Sequence, residues 1–245
     1  MKNNLSISVC MTVFSHSKYL KKQLYSIINQ SIKINELIIV EDYSGEKSPR
    51  QYIESICSRE NIKLLYKECK KNFGPAECFR KAILVSSSDV IVLSDHDDIW
   101  LKDRILKALR LHQNNDLIVI NGQITETKSN STSIGKTKNK KIYHDLKFNL
   151  MNLIIKNKII GSTISLRGDT ARFIASKISF YPMHDWILAI SFLILNKKIK
   201  FLDECLIIYQ RHDDTFTGNK KNSFIKKCKY RLFILFTICR VFTLK

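Results

Sequence analysis

Three aspartates stand within four residues, Asp95-His96-Asp97-Asp98, directly after the apolar run Val90-Ile91-Val92-Leu93. Ionised carboxylates this close repel one another unless a cation lies between them. Their hard oxygens suit Mg²⁺ or Mn²⁺, and such an ion is a natural partner for a phosphate-bearing substrate. A plainer reading competes: Asp97 or Asp98 would cap a following helix, for which Ile99 to His112 has amphipathic spacing. Capping accounts for one acid rather than three, and on these four residues alone both readings stay open. A second acidic pair, Glu41-Asp42, closes the apolar run Glu36 to Val40. A carboxylate there would accept hydrogen bonds from a nucleobase N–H or a ribose hydroxyl. Asp185 opens an apolar helix-like stretch and, on its own, reads as an N-cap.

The elements that must position these acids are legible as alternating periods. Strand-like runs cover Ile7 to Val13, Glu36 to Val40, Ile62 to Tyr66 and Val90 to Leu93. Helical spacing fills the gaps at Lys18 to Gln30, Pro49 to Cys57 and Pro75 to Ser86. This alternation predicts an α/β fold with a mostly parallel, Rossmann-like sheet between helices. Right-handed crossovers would bring all four strand ends to one edge, where open α/β sheets bind ligands. Asp42 and Asp95 to Asp98 would then face one crevice, a nucleotide-diphosphate site without a glycine-rich loop. Neither G-x-G-x-x-G nor G-x-x-x-x-G-K-[ST] occurs, so dinucleotide-cofactor and P-loop readings fit poorly. After Ile120 the regularity lapses. Thr125 to Lys141 reads as a solvated basic loop, and Asp145 to Lys156 as a helix. Gly161 to Leu166 reads as a strand, Arg172 to Ile178 and Trp186 to Leu195 as helices, and Leu206 to Tyr209 as a last strand.

Bulk properties narrow the class. The 245 residues include 44% hydrophobic ones, enough for a substantial core, and 41 Lys plus Arg against 22 Asp plus Glu give a net charge of +19. Such a chain should favour polyanionic partners. The 7 Gly and 3 Pro argue against disorder. The 7 cysteines form no C-x-x-C pair, and several lie in apolar runs, as reduced buried thiols do. The start, Met1-Lys2-Asn3-Asn4-Leu5, does not look like a signal peptide, and Ile187 to Leu195 is too short to span a bilayer. These features predict a cytoplasmic protein. The segment from Lys220 to Lys245 mixes cations with aromatics and contains no acid. It reads either as an interfacial helix on an anionic leaflet or as a helix docked on the core. Nucleic acid is not an expected partner, because base-stacking aromatics more usually lie on a sheet face.

Several boxes in order carry a family likeness. They are Ser8-Val9-Cys10-Met11-Thr12-Val13-Phe14, Glu36 to Ser44, Asn72-Phe73-Gly74-Pro75-Ala76, Leu93 to Trp100, His184-Asp185-Trp186 and Arg211-His212. With these, the chain resembles the inverting family-two glycosyltransferases of the GT-A fold, from about Ser6 to Gly218. The box ending Asp97-Asp98-Ile99-Trp100 is similar to the bacterial cell-surface-polysaccharide branch (O-antigen or capsule), including rhamnosyltransferase-like members.

The resemblance implies a division of labour. Residues 1–219 would form the GT-A domain, with 1–120 the nucleotide-sugar half and 121–219 the acceptor half, and residues 220–245 a basic amphipathic helical tail. Thr12, Phe14, Glu41, Asp42, Arg80, Asp95 and His96 would surround the nucleotide, Asp42 touching the base. Asp95 and Asp97 match the DxD motif, with Asp97 and His212 toward the metal. Asp185 matches the general base. Arg211, Trp100, Trp186 and His184 would border the diphosphate or the acceptor. The implied reaction is Mn²⁺- or Mg²⁺-dependent single displacement from a UDP-, dTDP- or GDP-sugar to a hydroxyl of a glycan, most simply a lipid-linked one, at the inner membrane face. Phe14-Ser15-His16, His96 and His184 depart from the usual residues and bear on sugar and acceptor preference. A sugar-phosphate nucleotidyltransferase would need a glycine-rich, Arg/Lys-bearing loop after the first strand, which Phe14-Ser15-His16-Ser17 does not supply. A non-catalytic polyanion binder would rest on the charge alone.

Overall fold

The first strand, β1 (Ile7–Phe14), is apolar at nearly every position because both of its faces are covered. A computed structural model gives the fold, describing residues 5–14, 19–126, 137–211 and 223–245. After β1 the chain forms α1 (Leu20–Ile28), β2 (Glu36–Asp42), α2 (Arg50–Arg59), β3 (Lys63–Glu68), α3 (Pro75–Val85) and β4 (Val90–Asp95). These four strands lie side by side in the order β3-β2-β1-β4, all parallel. Their register sets Thr12 beside Asp95 and Phe14 beside Asp42, so both acidic turns leave the sheet at one edge.

The second half is built differently. β5 (Ile99–Trp100), α4 (Arg104–His112), β6 (Leu117–Glu126), β7 (Thr137–Lys141) and α5 (Leu150–Ile155) come first. A 3₁₀ turn at Gly161–Thr163, β8 (Ile164–Arg167), α6 (Gly168–Lys177), α7 (His184–Ile194), β9 (Ile199–Arg211) and α8 (Phe224–Phe242) follow. β8 lies antiparallel between β4 and β6, β9 runs parallel to β6, and β5 and β7 add antiparallel pairs at β9 and β6. The sheet is therefore mixed, its parallel run ending at β4. The reversal follows from the entry to β8, which comes from the acidic edge through the 3₁₀ turn and not through a helical crossover. β6 crosses residue 120, so the two halves share one sheet.

Two apolar layers flank the sheet. Val9, Met11 and Leu37 pack with Leu24, Ile53 and Ile105 of α1, α2 and α4. Cys10, Ile38 and Leu93 pack with Phe79, Ala171 and Ile187 of α3, α6 and α7. Successive strand residues thus serve opposite layers, as the two-residue repeat requires. α8 lays Ile234, Thr237 and Val241 onto this second layer, against α7 and α5. Among the described residues no helix is long and apolar enough to cross a membrane.

Several expectations are corrected here. The helix expected from Ile99 begins at Arg104, because Ile99 and Trp100 pair with Ile208 and Ile207 of β9. Asp97 and Asp98 precede that strand and cap no helix. The basic stretch read as a loop contains β7, which pairs with β6; residues 127–136 lie outside the described residues. The last strand runs from Ile199 to Arg211, well beyond Leu206 to Tyr209.

Candidate active site

The turn after β4 gathers carboxylates. Side-chain oxygens of Asp95, Asp97 and Asp98 all lie within 4.8 Å of one another. Asp98 is fully buried, and neither of its oxygens has a hydrogen-bond partner among the described residues. Burial, then the charges of Asp97 and Asp95, hold its carboxyl well above the usual range. Burial also raises Asp95, to about 7, with Asp97 and then Asp185 adding to the effect. The Ser162 hydroxyl is near enough to draw both acids back down, although it makes no hydrogen bond of ordinary geometry.

One buried cation answers this charge. The guanidinium of Arg104 lies 3.9 Å over the Trp100 ring and donates to the carbonyls of Leu93 and Ser162. Burial lowers its pKa to about 9, while Asp98 and Asp95 pull it upward. Among the described residues, three ionised carboxylates against this guanidinium would leave two negative charges, the charge one divalent cation offsets. The donor set is all oxygen, and the orphaned Asp98 oxygens want a partner. These residues therefore fit Mg²⁺ or Mn²⁺. At the other side of the turn, the Gln210 side chain of β9 donates to the Asp97 carbonyl, tying the end of β9 to the acids. Arg211 follows it, but its side chain, together with His16 and His212, lies outside the described residues.

Asp185 lies in the first turn of α7 and is 4% exposed. Met183, not Asp185, occupies the N-cap position. The Asp185 Oδ1 atom accepts from Asn157 Nδ2 at 2.9 Å and from the Trp186 backbone N–H at 2.7 Å. Burial raises its pKa to about 7; hydrogen bonds from Trp186, Asn157 and the Gly161 backbone oppose the rise. Its charge adds to the rise at Asp95, after burial and Asp97. A buried carboxyl titrating near neutrality is suited to accept a proton from a hydroxyl.

His184 is also buried, its ring 4.1 Å from that of Phe79. Burial lowers its pKa to about 3, and Nε2 has no hydrogen-bond partner among the described residues. A Cβ atom on Gly161 would sit 2.0 Å from this Nε2, so the imidazole occupies the space a side chain at 161 would need. His184 is thus a buried, neutral ring filling the space beside Gly161 and Phe79. Trp100 and Trp186 are likewise turned inward: Trp100 is covered by Arg104, and the Trp186 indole donates to the Leu153 carbonyl. Arg80 is engaged within the fold. Its guanidinium binds Glu77 at 2.8 Å and the Ala175 carbonyl at 2.9 Å, which directs it toward α6.

At the end of β2 the acids are engaged. Glu41 accepts from the hydroxyls of Ser48 and Tyr66. Asp42 Oδ1 accepts from the backbone N–H groups of Tyr43 and Phe73, and Oδ2 from that of Gly74 at 2.8 Å. Asp42 thereby holds the turn that starts α3, where Gly74 adopts φ +79° and Pro75 opens the helix. Oδ2 keeps one further acceptor position, open in principle to a base N–H. Cys69 and Cys78 bring their thiols within 4.8 Å of the Asp42 carboxylate; burial and Asp42 push the Cys78 thiol up, so it is a protonated packing group. Around this end stand three exposed aromatics, Phe14 (49%), Tyr43 (55%) and Phe73 (42%). Thr12 is buried beside Asp95, and His96 is half-buried.

Sequence reasoning did not single out Asp98 as a ligand, nor Arg104, Asn157, Gln210, Tyr43 or Phe73. For Asp98 the signal was present in the run of acids. For Tyr43 and Phe73 it was adjacency to Asp42 and to Gly74-Pro75. Arg104 and Asn157 reach partners 58 and 28 residues away, at Ser162 and Asp185, which no local pattern marks.

Comparison with known proteins bears on this geometry. The sequence profile described as Glycosyl transferase family 2 matches residues 8–173. An uncharacterized glycosyltransferase of Haemophilus influenzae is 27% identical over 160 residues, covering 63% of each chain. The poly(ribitol-phosphate) beta-N-acetylglucosaminyltransferase TarP of Staphylococcus aureus is 29% identical over 119 residues, 46% of this chain and 35% of that one. The putative teichuronic acid biosynthesis glycosyltransferase TuaG of Bacillus subtilis is 31% identical over 105 residues, 42% of this chain and 40% of that one. The chain thus spans under two thirds of the length of these relatives. Among solved structures, that of S. aureus TarS 1–349 with UDP-GlcNAc superposes with a TM-score of 0.66 at 16% identity, covering 94% of this chain and 67% of that one.

Proposed function

The chain belongs to glycosyl transferase family 2, and from that premise we propose an inverting transfer of a sugar from a nucleotide-diphosphate donor to a hydroxyl of a surface-polymer glycan. What supports the reading is the Asp95-Asp97-Asp98 cluster at the end of β4 together with buried Asp185 in the first turn of α7, whose charge adds to the raised pKa of Asp95. In this reading Asp185 takes the proton of the acceptor hydroxyl as that oxygen attacks the anomeric carbon. Asn157 and the Trp186 N–H hold the carboxylate in place. The nucleoside diphosphate departs from the opposite face, and with no enzyme nucleophile the configuration inverts. Asp97, Asp95 and Asp98 would hold Mn²⁺ or Mg²⁺, which when bound supplies Lewis-acid stabilisation of the leaving diphosphate. Arg104 keeps the acid cluster from full self-repulsion.

Residues 1–120 serve the donor and 121–219 the acceptor. The base sits at the rim of Phe14, Tyr43 and Phe73, near the spare acceptor position of Asp42. Structural neighbours carrying UDP and UDP-GlcNAc favour a UDP-sugar over dTDP- and GDP-sugars. The relatives' names favour an acceptor among cell-wall or capsular polymers, and a net charge of +19 suits an anionic or lipid-phosphate-linked one at the inner membrane face. A hexose or deoxyhexose, including rhamnose, is the transferred sugar.

The test is nucleoside diphosphate release from a panel of UDP-, dTDP- and GDP-sugars, with Mn²⁺ and with EDTA. Release that requires the ion and rises with a glycan acceptor is expected. Pyrophosphate formation from a nucleoside triphosphate and a sugar 1-phosphate would identify a nucleotidyltransferase instead. No turnover of any donor would leave a polyanion binder.

A further inference from the structure

The tail helix α8 has two different apolar faces. One is used: Ile234, Thr237 and Val241 are buried against the protein, with Tyr181 meeting Tyr230 and Phe233 at ring distances of 5.7 and 4.6 Å. The other projects outward. Ile225, Leu232 and Phe236, spaced by seven and four residues, fall on one side of the helix opposite the buried strip. They are 80%, 66% and 80% exposed. A surface helix with one docked stripe would ordinarily be polar there. By helical spacing Lys229 and Arg240 flank this ridge and Lys226 stands further round, while Arg231 reaches the Ile155 carbonyl of α5; residues 223–245 contain no acid. Beside it, Phe236 and Arg240 join Lys177 and Tyr181 in lining a groove between α8 and the end of α6.

We infer that the outward face of α8 docks on an anionic lipid bilayer, with Ile225, Leu232 and Phe236 in the acyl boundary and the surrounding cations at the phosphates. Charge complementarity selects this occupant. Two copies of the chain meeting through this ridge would bring like-charged helices together with no acid on α8 to offset them. A nucleic acid would use the cations and leave the ridge in water. An interfacial helix uses both, since Lys and Arg stems lie along apolar surface while their heads reach the phosphates. Because the other face of α8 packs on α7 and α5, docking would set the helix that carries Asp185 at a fixed attitude to the lipid surface. The inference rests on no catalytic assignment, and its test has no catalytic readout.

The experiment is co-sedimentation of the full chain with phosphatidylcholine vesicles and with vesicles containing about one quarter phosphatidylglycerol. Partitioning onto the phosphatidylglycerol vesicles is expected to exceed that onto phosphatidylcholine by about tenfold or more and to weaken with salt. The triple variant I225S/L232S/F236S, altered only at exposed positions, should lose about tenfold in partitioning and keep its melting temperature. Equal partitioning of wild type and triple variant would overturn the inference, as would failure of the wild type to sediment with phosphatidylglycerol vesicles. Light scattering supplies the other outcome: a wild-type dimer that the variant converts to monomer, without vesicle binding, makes the ridge a self-contact and rejects the lipid.

Discussion

Glu36 and Asp98 are equally removed from water, at 1% and 0% exposure, yet their protons behave oppositely. Glu36 opens β2 at the edge away from the acid cluster. Burial pushes its pKa up, but hydrogen bonds from Ser8, from the Ser87 N–H and hydroxyl, and from Lys63 outweigh that, and the pKa falls below the usual range. Asp98 leaves the opposite edge after β4, where burial and the charges of Asp97 and Asp95 outweigh the opposing pull of the Ser162 hydroxyl and the Arg104 guanidinium. Burial alone therefore does not set the direction of a carboxyl's shift; the balance of burial, donors and neighbouring charges does. Glu36 fastens β1, β2 and the Ser87 turn together. Asp98, with Asp95 and Asp185, is kept by the fold at an energetic disadvantage, the pattern expected of groups retained for chemistry.

The sharpest way to break this contrast is Asp185→Asn. Transfer should fall by about 10³-fold or more, while the melting temperature stays level or rises, since a buried charge has been removed. Wild-type turnover by this variant would reject the base assignment. Asp98→Asn comes next. The Mn²⁺ concentration needed for half-maximal activity should rise on the order of 10–100-fold, and the metal-free protein should melt no lower than wild type. Glu36→Gln should do the reverse, losing about 1–3 kcal/mol in urea denaturation with unchanged activity per folded molecule. If it damages catalysis and spares stability, the distinction between the two edges is false.

pH separates the same groups more gently. Asp95 and Asp185 rise from 3.8 to about 7 in the folded chain, so between those values the native state holds more protons than the unfolded one. Stability of the metal-free protein must then fall as pH rises through that window, by at most about 1.4 kcal/mol per pH unit for each group. Glu36 has the opposite sign: its contribution is present above its unfolded pKa and is lost as pH falls through its lowered folded value. Thermal melts at several pH values, with and without Mn²⁺, read the difference, and bound metal should flatten the neutral-side loss. Activity should decline below about pH 7 as Asp185 gains its proton. The smallest effect belongs to Arg80→Ala. Its partners are Glu77 and Ala175, so a change within about 1 kcal/mol in stability and no change in donor KM are expected.

The half of the molecule that sequence describes well is the half whose strands are covered on both faces. β1, β2 and β4 are near-continuous apolar runs between helices of plain 3.6-residue period, and their ends place Asp42 and Asp95 correctly at one edge. Beyond Ile120 the strands carry their polar residues in the middle. Asn121, Gly122 and Gln123 interrupt β6, yet it holds β7, β8 and β9 together. β9 mixes Asp203, Glu204 and Cys205 into its centre, so only its last apolar residues look like a strand. The false start of α4 at Ile99 has the same origin: a two-residue pairing with β9, more than 100 residues away, overrides a local helical period. The acids of the site were readable because charge next to a strand end is conspicuous. The inward turn of Trp100, Trp186 and His184 was not, because whether an aromatic is wall or floor depends on neighbours from distant segments.

The contact between Gly161 and the His184 imidazole constrains how this protein can drift over generations. A methyl at 161 has nowhere to go while the ring remains, and the ring is pinned by Phe79. A side chain at 161 therefore requires the ring at 184 to move or shrink, which couples the two positions.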